Sequence, residues 1–262
     1  MFHLDVRTSG IWQTNSTVLS SGGEVVIVDP AFFPRELTEL AELAEARGRS
    51  ARVVFTHGHW DHVAGWRTFP GAPVLGSARL ARAVAESDES ARHNLAALAD
   101  FDGRWYVPRA EPPAWPPAVE PLADGDTFAI GDVSIEALHL PGHSDDGLGL
   151  LLPREGLLLV GDYLSPCEIP FVEDLTAYRA TLRRLAELID RVAAVIPGHG
   201  PRLDRAAATT IVRADLDYLD ALAAAGEGEG CLSITLPRAA DVPGMAARHR
   251  ENCVAAGLSP AR

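Results

Sequence analysis

A short histidine-rich segment constrains the fold and the chemistry of this chain more than any other feature. It reads THGHWDH, spans residues 56–62 and directly follows the apolar run ARVVF. Three imidazoles and one carboxylate fall within six positions, and these are ligand types that borderline divalent cations such as zinc prefer. A loop at the end of a strand can turn several such side chains toward one point. The sequence therefore predicts a metal site at the end of a buried strand.

The residues before this segment indicate an α/β fold. Residues 22–30 read GGEVVIVDP, which predicts a strand that ends at Asp29. Residues 34–48 carry leucines and alanines at helical spacing, with Pro34 in the first turn and Gly48 just past the end. Strand, helix and strand in this order are typical of a βαβ unit.

Single metal-ligand candidates follow three later apolar runs. His143 comes after Gly142, Asp162 after Gly161, and His199 after Gly198. Each of them alone would be read as an ordinary turn residue. Together with the histidine-rich segment they predict one site assembled from several strand ends.

Helical periodicity and linker composition indicate the domain organisation. Residues 175–189 and 206–225 are predicted as amphipathic helices, and GEGEG at residues 226–230 is the only linker-like stretch. The residues after it are too few to form an independent core. We therefore expect one domain, with its body in residues 1–225 and a C-terminal extension, residues 226–262, packed on it.

The order of these motifs resembles the metallo-β-lactamase-fold hydrolases, whose signature is an HxHxDH loop followed by single His, Asp and His ligands. The resemblance implies a four-layer αββα sandwich with the site at one edge, between two sheets. It also implies two divalent metal ions, with zinc expected and iron or manganese as alternatives. The implied ligands are His57, His59 and His143 for the first metal, Asp61, His62 and His199 for the second, and Asp162 as the bridging carboxylate.

The same resemblance implies a hydrolytic mechanism. A metal-bridging hydroxide would attack the carbonyl of a small ester, thioester or lactone. Asp61 is the candidate catalytic residue, because it would lie beside that water and could relay its proton. Asp29 and Thr56 are expected to support the ligand loop through hydrogen bonds.

Residues that shape the substrate pocket are harder to identify. Tyr163 and Cys167 follow Asp162 closely, and Trp105 precedes a proline-rich segment, residues 108–121. These three side chains are candidates for the pocket wall. The proline-rich segment is interpreted either as a substrate lid or as a connector packed on the surface.

Comparison among branches of the family narrows the expected activity. The flavodiiron branch has a glutamate where this chain has His59. No cluster of basic residues in the tail suits glutathione binding. We therefore expect a glyoxalase II-like or lactonase-like branch without a recognisable glutathione-binding domain. A mononuclear iron oxidoreductase resembling the persulfide dioxygenases is the alternative.

Charge and cysteine content address partners and location. The 262 residues contain 23 Lys and Arg against 36 Asp and Glu, a formal net charge of −13. This balance disfavours nucleic-acid and anionic membrane surfaces as partners. Residues 1–10 lack the features of an export signal, so we expect a cytoplasmic protein.

The cysteines do not indicate a disulfide framework, because they are odd in number and far apart in the sequence. They are Cys167, Cys231 and Cys253.

Overall fold

Two mixed sheets of six strands each lie face to face in a computed structural model of the chain, which describes residues 1–225 and 229–258. The first sheet has the order β1-β2-β3-β4-β5-β6 and the second β12-β11-β10-β9-β8-β7. The strands are β1 (His3–Thr8), β2 (Asn15–Ser21), β3 (Glu24–Val28), β4 (Ser50–Val54), β5 (Val74–Ser77), β6 (Glu120–Leu122), β7 (Thr127–Ile130), β8 (Val133–His139), β9 (Leu148–Leu152), β10 (Leu157–Leu159), β11 (Ala194–Ile196) and β12 (Leu203–Asp204). The α-helices are α1 (Pro34–Arg47), α2 (Trp60–Val63), α3 (Ala78–Glu86), α4 (Glu89–Trp105), α5 (Leu175–Ile189), α6 (Arg205–Ala224), α7 (Glu229–Leu232) and α8 (Met245–Ala255).

Strand alternation divides the apolar side chains between two cores. In β3, Val26 and Val28 face the second sheet and pack in the same cluster as Leu150 of β9. Val25 and Ile27 point to the other face and pack against leucines of α1 and α3. Because successive side chains of a strand point to opposite faces, a continuous run such as VVIV serves a sheet that is covered on both sides.

Helices cover the outer face of each sheet. On the first sheet, α1 and α3 contribute leucines to the outer core, and on the second sheet α5 and α6 do the same. The predicted αββα sandwich is therefore confirmed. The helix predicted over residues 175–189 has those bounds, and the one predicted over 206–225 is shifted by one residue. Among the described residues, no helix is both long and apolar enough to cross a membrane.

The last described segment packs on the second sheet and its helices. Asn252 of α8 donates to the carbonyl of Pro170 (2.7 Å) and accepts from the amide of Val172 (3.1 Å). Arg238 forms a bidentate pair with the fully buried Asp215 of α6. These contacts agree with a packed extension. Residues 226–228 of the linker-like stretch and residues 259–262 lie outside the described residues, so the domain boundary at 225/226 stays a prediction.

The expectation about the cysteines is wrong for two of them. Cys231 of α7 and Cys253 of α8 form a disulfide, with their Cα atoms 6.1 Å apart, and Cys167 is free. Their 22-residue separation gave no sign of the pairing, because it arises from the packing of α7 against α8. Disulfides are typical of oxidising compartments, so this bond does not support the cytoplasmic location, which stays a prediction.

The number of reactive thiols per chain tests the disulfide directly. We expect one reactive thiol per chain in denatured, unreduced protein and three after reduction, measured with a thiol reagent. Replacing both Cys231 and Cys253 by alanine should lower the free energy of unfolding by about 3 kcal/mol, because the bond closes a long loop. The Cys167→Ala variant is the control. Three reactive thiols before reduction would contradict the disulfide.

Candidate metal centre

The candidate ligands come from strands that end at the same edge of the two sheets. β4 leads into His57, β8 into His143, β10 into Asp162 and β11 into His199. Backbone hydrogen bonds join the sheets here, since the amide of Asn15 in the first sheet donates to the carbonyl of Gly198 in the second (2.7 Å). The turn of α2 then places two more candidates beside them, Asp61 and His62.

All seven predicted ligands meet at this edge, in two sets whose potential ligand atoms lie within 4.8 Å of one another. The Asp162 carboxylate lies between the sets. Its Oδ2 is 3.3 Å from both His143 Nε2 and His199 Nε2, and its Oδ1 is 3.1 Å from His62 Nε2. The first set is His57, His59, His143 and Asp162, and the second is Asp61, His62 and His199. Asp162 and His199 also form an overlapping group with Glu168, which the sequence did not predict as a ligand.

The chemistry of this donor set fits divalent metal ions. His62 Nε2 faces His199 Nε2 at 3.3 Å, and His143 Nε2 faces His59 Nδ1 at 3.0 Å. Two buried atoms, His57 Nε2 and Asp162 Oδ1, have no partner with hydrogen-bond geometry among the described residues, although His57 Nε2 lies 3.5 Å from Asp162 Oδ2 and Asp162 Oδ1 lies 3.1 Å from His62 Nε2. Buried polar atoms without partners are costly, whereas a cation between such nitrogens and carboxylates would satisfy them together. The residues therefore could hold one ion in each set.

Burial and charge divide the imidazoles into two groups. Burial lowers the pKa of His59 to about 3 and lowers that of His57 well below its usual value, with neighbouring histidines adding to the effect. For His199, burial is outweighed by the Asp162 carboxylate, which raises the pKa to about 10. The pKa of His62 is raised for the same reason, with Asp61 and Asp29 contributing after Asp162.

Asp29 supports one candidate ligand of each set, His62 directly and His57 through Thr56. Its Oδ2 accepts from Thr56 Oγ1 (2.6 Å) and lies 3.0 Å from His62 Nδ1, while its Oδ1 accepts from the Thr56 amide (2.7 Å). Thr56 Oγ1 in turn lies 3.1 Å from His57 Nδ1. Each contact engages the Nδ1 side of a ring and leaves Nε2 for the site. Both residues therefore lie where the sequence predicted support for the ligand loop.

The loop between β1 and β2 supports His199 and was not identified from the sequence. His199 Nδ1 lies 3.0 Å from the carbonyl of Trp12 and 3.3 Å from Thr14 Oγ1, which also donates to Asp61 Oδ2 (3.1 Å). Asn15 Nδ2 donates to the carbonyls of Pro197 and Gly200 on either side of the His199 loop. The one hint in the sequence was the polar run TNST, residues 14–17, just before the apolar residues of β2. The structure buries the whole of β2, including the polar residues at its start.

The three residues expected near the pocket lie in different places. Cys167 lines the pocket of about 640 Å³ that contains the candidate ligands. Tyr163 is buried behind it, where its hydroxyl accepts from the His143 amide (2.9 Å) and donates to the carbonyl of Pro141 (2.8 Å). Trp105 is 60% exposed and lines a neighbouring groove.

The proline-rich segment packs as a connector. Trp115 donates its indole hydrogen to the carbonyl of Ala91 and packs against Phe55, and Trp66 donates to the carbonyl of Ala114. These contacts fix the segment on the outer face of the first sheet. Of the two interpretations left open, they match the connector.

Known proteins share this sequence pattern and fold. Residues 9–218 match the family model of the Metallo-beta-lactamase superfamily. The human protein named acyl-coenzyme A thioesterase MBLAC2 is 29% identical over 234 residues, covering 78% of this chain and 81% of that protein. An atrochrysone carboxyl ACP thioesterase from Aspergillus fumigatus is 28% identical over 195 residues, covering 71% of this chain and 50% of that protein. The match to this chain spans about half the length of the atrochrysone carboxyl ACP thioesterases.

A solved structure supports the fold. The crystal structure of a metallo-beta-lactamase family protein from Thermus thermophilus superposes with a TM-score of 0.65 at 24% identity, covering 98% of this chain and 94% of the other. At this identity the likeness concerns the fold alone.

The first test of the site removes the Asp29 carboxylate. Because Asp29 orients a ligand of each set, Asp29→Ala should weaken zinc binding by about 10- to 100-fold, measured by competition with a chromophoric chelator. Asp190→Ala, which removes an exposed carboxylate at the end of α5, is the matched control. Equal zinc affinity in both variants would contradict the role of Asp29.

The second test measures the protons that the protein releases when zinc binds. In the metal-free protein His199 has a pKa of about 10, so it is protonated at neutral pH. Metal binding needs the neutral imidazole, and the proton must leave. Zinc affinity should therefore rise with pH, about tenfold per pH unit for each proton released. Calorimetry in two buffers of different ionisation enthalpy measures the release, and identical heats in both would contradict it.

Proposed function

Because this chain belongs to the metallo-beta-lactamase superfamily, we propose that it hydrolyses a small acyl thioester or ester at a dinuclear metal centre, with zinc as the metal. The observation that carries the proposal is the meeting of seven ligand-type side chains in two sets with the Asp162 carboxylate between them. The names of the relatives, which are those of thioesterases, favour a thioester over a lactone.

The second set favours hydrolysis over the alternative activity. A mononuclear iron oxidoreductase would use the first set only, and the buried Asp61, His62 and His199 would then hold no ion. A second ion would give these three buried side chains a ligand role in addition to the hydrogen bonds that they already make with Thr14, Asp29 and Trp12. The dinuclear hydrolase gives each of them a function.

The bound ions would supply two effects, a lower pKa for a water molecule and polarisation of the substrate carbonyl. The protein's own residues would position both reactants. His143 and His59 line the pocket from two different segments, the loop after β8 and the loop before α2. A substrate carbonyl bound at the metals would lie beside them, and the surrounding walls would orient the substrate.

Asp61 is proposed to move the proton. Its Oδ2 lies 3.4 Å from His62 Nε2 and 3.6 Å from His199 Nε2, and Thr14 Oγ1 holds the same oxygen at 3.1 Å. Asp61 also lines the pocket. In this position it would accept the proton of the attacking water and return it to the leaving sulfur or oxygen, so that the acid and the thiol or alcohol are released.

This role is tested with the Asp61→Asn variant. Zinc-loaded wild type should hydrolyse an acyl N-acetylcysteamine thioester, and Asp61→Asn should lower kcat by about 10²- to 10⁴-fold when both proteins are compared at full zinc occupancy. Asp190→Asn is the control, since this carboxylate is exposed at the end of α5 and does not line the pocket. Full turnover by Asp61→Asn would refute the proton relay. Failure of the zinc-loaded wild type on thioesters, esters and lactones alike would overturn the proposed function.

A further inference from the structure

A groove lined by aromatic rings opens beside the metal pocket. We call it the aromatic groove; it encloses about 670 Å³ and is open to solvent along one side. Its surface is mostly carbon. The aromatic side chains that line it are Trp12, Phe33, Trp60, Phe101 and Trp105.

These rings support one another while leaving much of their area in water. Trp12 meets Trp60 edge to face with centroids 5.0 Å apart, and Trp60 lies 4.9 Å from Phe101. Phe101 continues to Trp105 at 6.3 Å. Yet Trp12 is 56% exposed and Trp105 is 60% exposed. A contiguous apolar surface of this kind is a common mark of a binding site.

The aromatic groove adjoins the metal pocket. Trp12, Trp60 and Ala97 line both the groove and the metal pocket. Trp60 stands between the ligands His59 and Asp61 in the sequence. The Trp12 carbonyl holds His199 while the Trp12 ring covers Trp60. A substrate whose carbonyl lies at the metals can therefore extend one arm directly into the groove.

The rest of the metal-pocket wall is mixed, because it carries several carboxylates together with apolar side chains such as Phe171, Val242 and Met245. Among the described residues that line the metal pocket, Arg248 is the only arginine or lysine, and it pairs with Glu251. An apolar chain placed against the exposed carboxylates of Asp145 and Glu251 would take their charges out of water, a cost that the mostly carbon surface of the groove does not impose. The carboxylates on this wall outside the candidate ligand sets are Asp145, Asp146, Glu168, Glu173 and Glu251.

We propose that the aromatic groove binds the acyl chain of the substrate, and that this enzyme selects extended apolar acyl groups over acetyl. The proposal rests on the proposed hydrolysis of an acyl thioester or ester. The thiol or alcohol part of the substrate then lies toward the carboxylates of the metal pocket, which favours neutral or cationic leaving groups near the reacting carbon. The mostly carbon surface of the aromatic groove thus sets the direction in which the substrate binds.

Chain length provides the kinetic test. Each methylene that enters the groove should raise kcat/KM about twofold, less than full burial would give, because one side of the groove is open. Zinc-loaded wild type should therefore prefer the decanoyl over the acetyl thioester of N-acetylcysteamine by more than about 50-fold. Trp105→Ala should lower this ratio by about tenfold, and Trp105→Phe should restore most of it.

Tyr106 supplies the matched control. It is the neighbouring aromatic residue, is 90% exposed and does not line the groove. Tyr106→Ala should keep the wild-type ratio of decanoyl to acetyl turnover. Equal turnover of both thioesters by wild type, or an unchanged ratio in Trp105→Ala, would overturn the assignment of the groove.

A binding measurement separates this inference from the proposed function. The S-decyl thioether of N-acetylcysteamine cannot be hydrolysed, and its binding is read from tryptophan fluorescence, since three of the five tryptophans line the groove. Saturable binding that weakens in Trp105→Ala but not in Tyr106→Ala supports the groove even if no thioester is hydrolysed. Thioester hydrolysis without any saturable thioether binding would keep the function and overturn the groove.

Discussion

The Asp162 carboxylate is the contact on which the arrangement of the site depends. It lies within 3.5 Å of imidazole nitrogens from both ligand sets, and it is held at the end of β10. The parallel pairing of β10 with β11 brings Gly198 against it, where a Cβ atom would collide with Asp162 Oδ1. Only a residue without a side chain fits there. The burial of so many charges is tolerable because each has a partner of opposite charge or a position for a cation.

The support of the site is shared between the two sheets. Asp29, from the first sheet, contacts the His62 ring directly and acts on the His57 ring through Thr56. The loop between β1 and β2 holds His199, which follows a strand of the second sheet. Trp12 and Gln13 in that loop have positive φ angles of 44° and 58°, which are unfavourable for residues with side chains. This conformation turns the Trp12 carbonyl toward His199 and its ring outward over Trp60. One loop therefore connects the metal centre to the aromatic groove.

The sequence predicted those parts of the molecule that depend on local pattern. The short apolar runs that each end in Gly, His or Asp pointed to candidate ligands at strand ends that meet at one edge. The assignment of these candidates to two sets and the four-layer sandwich were implied by the resemblance to the family. Thr14 and Asn15 were missed because their contacts with Asp61 and the His199 loop come from tertiary packing. The pairing of Cys231 with Cys253 was missed for the same reason. Trp60 lines the aromatic groove but was not identified from the sequence, because it stands within the HGHWDH motif, which was interpreted only for its metal ligands.

The proposed dinuclear centre, with one metal ion in each ligand set, is tested most directly by its metal content. Elemental mass spectrometry gives the number of ions per chain, on wild type and on His62→Ala purified without added metal. We expect two ions per wild-type chain and one in the variant, since His62 belongs to the second set only. One ion per chain in both proteins would contradict the dinuclear site.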